Sequence, residues 1–574
     1  MNIAANFRRQ LFSLSALVLL VATSGQFTLA QSESGSAKTF AVVAATSFDE
    51  LMKDVKFLGA LFGRPTAAQE AEGLIVFFTQ GKGLDAIDRT KPWGVVLQSD
   101  GANVLPVACL PVKKLDDLLA VATAYGVQTN DGSNGVKELT LPNQQTLFVK
   151  PSDSWAFLSR TSEALAQLPA NPDAEFAKLA ADYDLAASIT VQNVPEGLRK
   201  GMIDAMQMGM KQGLAKQDTT DPDQQARAEE MAKAQLEQVQ RLIEDLESVM
   251  FGWTIDDKQQ QAFLDFTYRF LPKSKMAEQL ASYGQPQTNF SGFYQSDAAV
   301  TATISSKADP NLIATDLKQF ETMMTQFRDG FNKGVDKNEK IEDEKVREAI
   351  KACGSDWFDA FEATIKAGEI DAGGSLKLTS DSLTLVVGAH VKEPEKLESG
   401  LKKLEAARDS APEVPEIKWN AENYSGVNFH TWSIPVPEEQ ESPHQLLGDN
   451  LDIAVGIGPE SVYLAAGKDT LTAIKQAIDA SKADPDKAVP PFELAISLAP
   501  IMEAVAPQVP QEEQREILES IATMLRNESQ GRDHVRAIGK LIPNGLQYRL
   551  EVEEGVLRAV GKAAAAAQQR ALAQ

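Results

Sequence analysis

The feature that most constrains this chain is that it repeats itself. Tyr183-Asp184-Leu185-Ala186-Ala187-Ser188-Ile189 returns as Phe492-Glu493-Leu494-Ala495-Ile496-Ser497-Leu498. Upstream, Trp155-Ala156-Phe157-Leu158 followed by Leu165 returns as Ser461-Val462-Tyr463-Leu464 followed by Leu471, and Asn134-Gly135-Val136 as Ser425-Gly426-Val427. The three matches occur in the same order. Their spacing drifts, as an insertion rich in Pro, Glu and Gln at Pro435–Asn450 requires. An ordered series of this kind is the mark of a duplicated fold unit. A chain of 574 residues suits two large domains. The expectation is two tandem related domains, 38–285 and 286–562, followed by an Ala/Gln-rich tail at 563–574.

Within a copy, short β-branched or aromatic runs bounded by turn residues predict strands at Ile75–Phe78, Gly94–Gln98 and Val104–Leu110. Ser99–Asn103 joins the last two at hairpin length. A second hairpin is expected at Asp452–Ile457 and Val462–Ala466, followed by a helix capped by Asp469. Each half is expected to close with a hairpin: Gly252–Asp256 with Gln261–Phe270, and Leu546–Val552 with Val556–Val560. Alternation of Ala262, Leu264, Phe266, Tyr268 and Phe270 with polar residues implies one buried and one wet face. Ala232, Leu236, Val239, Ile243, Leu246 and Met250 recur at alternating spacings of four and three, which predicts a seam helix after Asp221-Pro222. Its expected partner is the helix from Pro195 to Leu214, giving a helical hairpin over 195–250. The fold class is therefore α+β, with mostly antiparallel sheets covered by helices.

The N-terminus reads as a secretory leader over residues 1–30. Arg8-Arg9 precede the uncharged apolar run Leu11–Ala22, and Thr28-Leu29-Ala30 places small residues where a signal peptidase reads. The run is too short to span a bilayer. No cysteine follows the cleavage site, so the expectation is an unanchored periplasmic or secreted protein. The net charge is −24, and removing residues 1–30 takes away two arginines and no acid. Such a surface repels phosphate backbones, so nucleic acid is not an expected partner. Two cysteines rule out a disulfide scaffold and any cysteine-built metal site. Cys109 falls in a predicted strand and Cys353 in a predicted helix, Lys345–Lys366; buried free thiols are expected, and a bridge stays open because Cα separations cannot be read from sequence.

Catalytic signatures are missing: there is no His-Glu-x-x-His, Gly-x-Ser-x-Gly or Gly-x-x-x-x-Gly-Lys-[Ser/Thr]. Gly456-Ile457-Gly458 and Gly81-Lys82-Gly83 lack the third glycine of a dinucleotide loop. None of the four histidines, His390, His430, His444 and His534, has a partner at metal-ligand spacing. Asp256-Asp257, Asp116-Asp117 and Glu438-Glu439 are acid pairs whose default reading is solvated turns and helix starts. Met202, Met206 and Met210, with Met208 beside them, share a helical face. That face suits packing or a pliable apolar binding wall, with Cu(I) ligation the weaker alternative. Asp88-Arg89-Thr90-Lys91-Pro92-Trp93-Gly94 reads as a turn leading into a strand, or as an arginine–tryptophan clamp for an anionic or aromatic ligand.

Gly83-Leu84-Asp85-Ala86-Ile87-Asp88-Arg89-Thr90-Lys91-Pro92-Trp93-Gly94, with Leu110-Pro111-Val112 downstream, resembles a segment of exported planctomycete-type bacterial proteins. The resemblance covers mainly residues 74–120. It implies a compartment outside the cytoplasm and transfers no activity and no site. The functional expectation is an exported non-enzymatic protein, a binding or structural component of the bacterial cell envelope, with no cofactor and no metal. A cleft between the copies is the expected ligand position. The alternatives are a periplasmic carrier of an apolar ligand, walled by the methionine helix, and a hydrolase using scattered carboxylates.

Overall fold

Phe40, Ala41, Val42, Ala44 and Ala45 make a nearly continuous buried apolar run, as a strand covered on both faces requires, and Lys38–Ala45 is the first strand of the computed structural model. The structure describes residues 37–101, 103–169, 171–215, 236–237, 239–308, 314–338, 341–409, 414–437 and 441–573. The chain divides between Met276 and Ala277 into two units.

The first unit opens with β1 (Lys38–Ala45), α1 (Phe48–Leu61) and α2 (Ala67–Phe78). Then come β2 (Trp93–Ser99), β3 (Val104–Pro111), α3 (Leu115–Ala124), β4 (Gln128–Asp131) and β5 (Lys137–Thr140). It continues through β6 (Thr146–Ser152), β7 (Trp155–Ser159), α4 (Pro172–Ala180), β8 (Leu185–Thr190) and α5 (Glu196–Ala215). It closes with β9 (Leu246–Asp256), β10 (Gln261–Phe270) and α6 (Lys275–Ser282), the last straddling the division. The strands pair antiparallel in the order β4-β5-β6-β7-β3-β2-β1-β8-β9-β10.

The second unit opens with β11 (Val300–Lys307), α7 (Ala314–Asp336), α8 (Glu344–Lys366), β12 (Glu369–Leu378) and β13 (Leu383–His390). Next are α9 (Glu395–Glu405), β14 (Lys418–Tyr424), β15 (Val427–Pro435), α10 (Glu441–Leu447), β16 (Asn450–Ile457) and β17 (Ser461–Gly467). It ends with α11 (Thr470–Ala483), β18 (Phe492–Ser497), α12 (Leu498–Val505), α13 (Glu512–Glu528), β19 (His534–Ile542), β20 (Gly545–Glu553) and α14 (Glu554–Ala573). Its order is β14-β15-β16-β17-β13-β12-β11-β18-β19-β20, again antiparallel throughout. A two-residue pairing of Gln287–Thr288 with Lys487–Ala488 lies apart from this sheet.

The two strand orders are the same, and so is the register at their centres. Ala45 lies opposite Leu185 in the first unit, and Ala302 opposite Leu494 in the second. Val43-Ala44-Ala45-Thr46 thereby falls in the position of Val300-Thr301-Ala302-Thr303. Both β4–β5 and β14–β15 turn through a left-handed pair, Asn134 (φ 57°) with Gly135 (75°) and Ser425 (56°) with Gly426 (82°). Glycine adopts such angles freely and other residues only at some cost, so the glycine of each pair favours the turn. The extra helix α10 occupies the sequence insertion.

The cores are aromatic. In the first unit Phe157, Leu165 and Phe176 are buried with Val42, Ala44, Val96 and Val107. In the second, Phe290, Phe293, Phe429 and Ile474 surround Val386 and Ala465. Each fully buried aromatic contributes about 3–5 kcal/mol by the cost of truncation.

Four local expectations are corrected. Ile75–Phe78 is the C-terminal turn of α2 rather than a strand, because a four-residue apolar run carries no periodicity of its own. Leu246 and Met250 belong to β9, where β10 pairs with both and β8 with Met250, and helix ends at Asp245. Two flanking strands satisfy the backbone there, overriding the seam pattern; Ala232 lies outside the described residues. The second unit closes with β19 and β20, while Val556–Val560 is helical in α14. Asp469 precedes α11 in a left-handed conformation (φ 53°), so its side chain makes no capping bond. Among the described residues no helix is long and apolar enough to cross a membrane.

Candidate functional site

The shared register brings one acid to the same place twice. Asp184 and Glu493 both stand at the start of the strand that flanks the first strand of the sheet, β8 and β18, beside Thr46 and Thr303. Both threonines are buried. Asp184 Oδ2 accepts from Thr254 Oγ1 (2.8 Å) and from the Ile255 N–H (2.6 Å). Burial holds its carboxyl above the usual range despite these two donors. Asp54, on α1, is only 9% exposed, and its Oδ2 has no hydrogen-bond partner. Burial first, then repulsion from Asp184, Glu50 and Asp257, pushes Asp54 up to about 7. The first unit thus holds a carboxyl that takes up and releases a proton near neutrality, next to a tied carboxylate.

The second unit uses its acid differently. Glu493 Oε1 accepts from the Tyr294 hydroxyl at 2.8 Å. Burial and the neighbouring Glu493 raise the tyrosine above its ordinary value, while Thr301 and Arg536 oppose that shift. Asp371, on β12, accepts from the Asn289 N–H at 2.9 Å, and burial raises it. No group of three or more His, Cys, Asp or Glu is arranged to hold a metal ion among the described residues.

A second repeated feature is aromatic. α1–α2 and α7–α8 are inserted between the first and second strands of their sheets, and both pairs leave apolar side chains uncovered. On α2 these are Leu74, Val76, Phe77 and Phe78, with Phe77 75% exposed. On α7–α8 they are Met323, Phe327, Trp357 and Phe361, with Phe327 65% exposed. Phe320 against Phe361, and Phe327 and Phe331 against Phe358, knit α7 to α8. Large uncovered apolar surface of this kind marks an interaction face.

The residues singled out from sequence are mostly spent on structure. Arg89 bonds Asp49 (2.8 Å) and Glu72 (2.6 Å) and lies over the Phe48 ring, while Asp88 accepts from Thr90. Trp93 begins β2, and the preceding turn is braced by these bonds. Asp256 Oδ1 accepts from the N–H groups of Lys258 and Gln259 in the β9–β10 turn, and Asp116-Asp117 open α3. Glu438-Glu439 lie outside the described residues, as do the side chains of Met202, Met206 and Met210 on α5; Met208 is exposed. Cys109 and Cys353 are free and buried, and burial pushes their thiols up to about 12 and about 11, which makes them inert.

Gly456-Ile457-Gly458 ends β16 at a hairpin, and Gly81-Lys82-Gly83 lies in the turn after α2. His430 is fully buried beside Trp419, where desolvation favours its neutral form. His444 lies 3.0 Å from Asp449. His534 lies 3.1 Å from Glu553, which raises it. His390 ends β13.

Asp184 and Glu493 were within reach of sequence reasoning, since each stands at the same place in the two matched heptapeptides. Asp54 carried no signal, because only the packing of α1 buries it. The chain matches no protein-family model, and neither a curated protein nor a solved structure is similar to it.

Proposed function

We propose that the two units are copies of one domain, and that the protein is an exported, non-enzymatic binding or structural component of the bacterial cell envelope. The common strand order and register support the duplication; the leader pattern at residues 1–30 supports export. The observation that carries the binding reading is the aromatic face left uncovered on the same helix pair of both units, around Phe77 and around Phe327. Duplication keeps a scaffold, and an exposed aromatic cluster retained at one place in each copy is a surface held for a partner. The strong negative charge selects a partner that flanks apolar residues with lysine or arginine, since like charge repels acidic ones. The expected helical hairpin, cut back to end at Asp245, adds a third arm in this reading.

Site-specific photo-crosslinking in the native cell tests it, with p-benzoylphenylalanine at position 77, at 361, or at the exposed control position 178. The same envelope protein should be captured from 77 and 361 and not from 178. Absence of an adduct at both positions, together with turnover of an envelope polymer by the purified chain, would replace binding with catalysis.

A further inference from the structure

The second unit carries a polar cleft of about 420 Å³, within the size range of small-ligand sites. It is lined by the Ser291–Asp297 segment, by Lys377 at the end of β12, by Gln476 and Ala480 on α11, and by Asp484 and Lys487. Its walls are set before any ligand arrives. Ser291 Oγ donates to the Asp484 carbonyl (3.0 Å), and the Gly292 N–H donates to Ser481 Oγ (2.9 Å). Gly292 lies so close to α11 that a Cβ there would overlap the Ala477 carbonyl oxygen. Only glycine permits that approach, so the cleft wall is pinned to the helix.

The charges in the cleft are already matched. Lys377 Nζ lies 3.0 Å from Asp297, and Lys487 Nζ lies 3.1 Å from Asp484. Each lysine charge is already neutralised by its carboxylate, so a charged ligand finds no net complementary charge in the cleft, whereas an uncharged one needs none. Each pair still offers spare ammonium N–H donors beside a spare carboxylate oxygen, and the Gln476 amide offers one of each kind. Donor and acceptor side by side is the complement of neighbouring hydroxyl groups, each of which both donates and accepts. Tyr294, also in the lining, has its hydroxyl committed to Glu493. We propose that this cleft binds a neutral polyhydroxylated ligand, a saccharide, independently of the aromatic helix faces. The rims are solvent-exposed, so affinity falls in the millimolar range, about 1–10 mM.

Saturation-transfer NMR on the full chain tests this with three neutral probes, methyl β-glucoside, N-acetylglucosamine and cellobiose, against glucuronate and glucosamine as charged comparators. At least one neutral probe should receive saturation. Gln476→Trp, at an exposed position that fills the cleft, should weaken it about tenfold or more. Lys377→Met should weaken it about fivefold, and Phe361→Glu should leave it unchanged, separating this site from the proposed partner face. The proposal is overturned if no neutral probe responds at about 20 mM, if Gln476→Trp binds as the parent does, or if a charged comparator binds more tightly than every neutral one.

Discussion

One row of side chains runs across the centre of both sheets, and its two versions differ in kind. In the first unit it reads Gly94, Ala44, Ala186, Gly252; in the second it reads Ser375, Thr301, Ala495, Arg536. Where the row is bare, aromatic rings descend onto it. A Cβ on Gly94 would lie 2.8 Å from Phe176 Cε1, and one on Gly252 would overlap the Tyr183 ring. Where the row is polar, the aromatic groups move elsewhere: Phe290 and Phe293 settle over Gly373 and Gly388, while Tyr294 bonds Glu493. The same strand order is thus compatible with an oily and a polar centre, provided each bare position is matched by a ring from another element.

The largest effects should come from those rings. Phe176→Ala and Phe293→Ala each remove a fully buried aromatic and should cost about 3–5 kcal/mol. Hydrogen exchange resolved by peptide should show the loss concentrated in the unit that carries the substitution. Spread evenly over both units, it would erase the distinction between the two centres.

Next comes protonation. Asp54 is raised from 3.8 to about 7 in the folded state, so the native protein binds the extra proton across that window. Stability of the first unit should fall as pH rises from about 4 to 7 and level off above. Asp54→Asn should flatten most of the slope, leaving the share that the raised Asp184 contributes, and stabilise the protein at pH 8 by up to about 4 kcal/mol, read by denaturant melts. The second unit loses stability in the same direction, and there a histidine adds a step at higher pH. His534 is raised by Glu553, so its contribution is complete below the unfolded pKa near 6.5 and is lost as pH rises through the folded value.

Tyr294→Phe leaves Glu493 without its hydroxyl donor and should cost about 1–2 kcal/mol, again by denaturant melts. The smallest effect should be the most alike between units. Gly135→Ala and Gly426→Ala put a side chain at positive φ in equivalent turns and should each cost about 1 kcal/mol. Unequal costs would show that only one of the two turns is under strain.

Elements with an extended pattern of their own were legible from sequence. Lys345–Lys366 was expected as a helix and is Glu344–Lys366, and Val104–Leu110 as a strand and is Val104–Pro111. The failures share a cause: a segment too short to carry a period, or one whose backbone is claimed from outside. Ile75–Phe78 is four apolar residues that either structure accommodates. Leu246–Met250 continues a helical seam in letters but lies between two strands in space. The paired acids at Asp184 and Glu493 were visible through the repeat, whereas the burial of Asp54 and the exposure of Phe77 arise only when helices meet the sheet.

The central claim is that both halves build one scaffold in one register, and cross-linking tests it most directly. In a Cys109→Ala, Cys353→Ala background, the pairs Ala45→Cys with Leu185→Cys and Ala302→Cys with Leu494→Cys occupy equivalent facing positions. Both should oxidise to a disulfide under mild conditions, while the shifted pairs Ala45→Cys with Ala186→Cys and Ala302→Cys with Ala495→Cys should stay reduced. If one facing pair closes and the other does not, or if a shifted pair closes instead, the two halves do not share a scaffold.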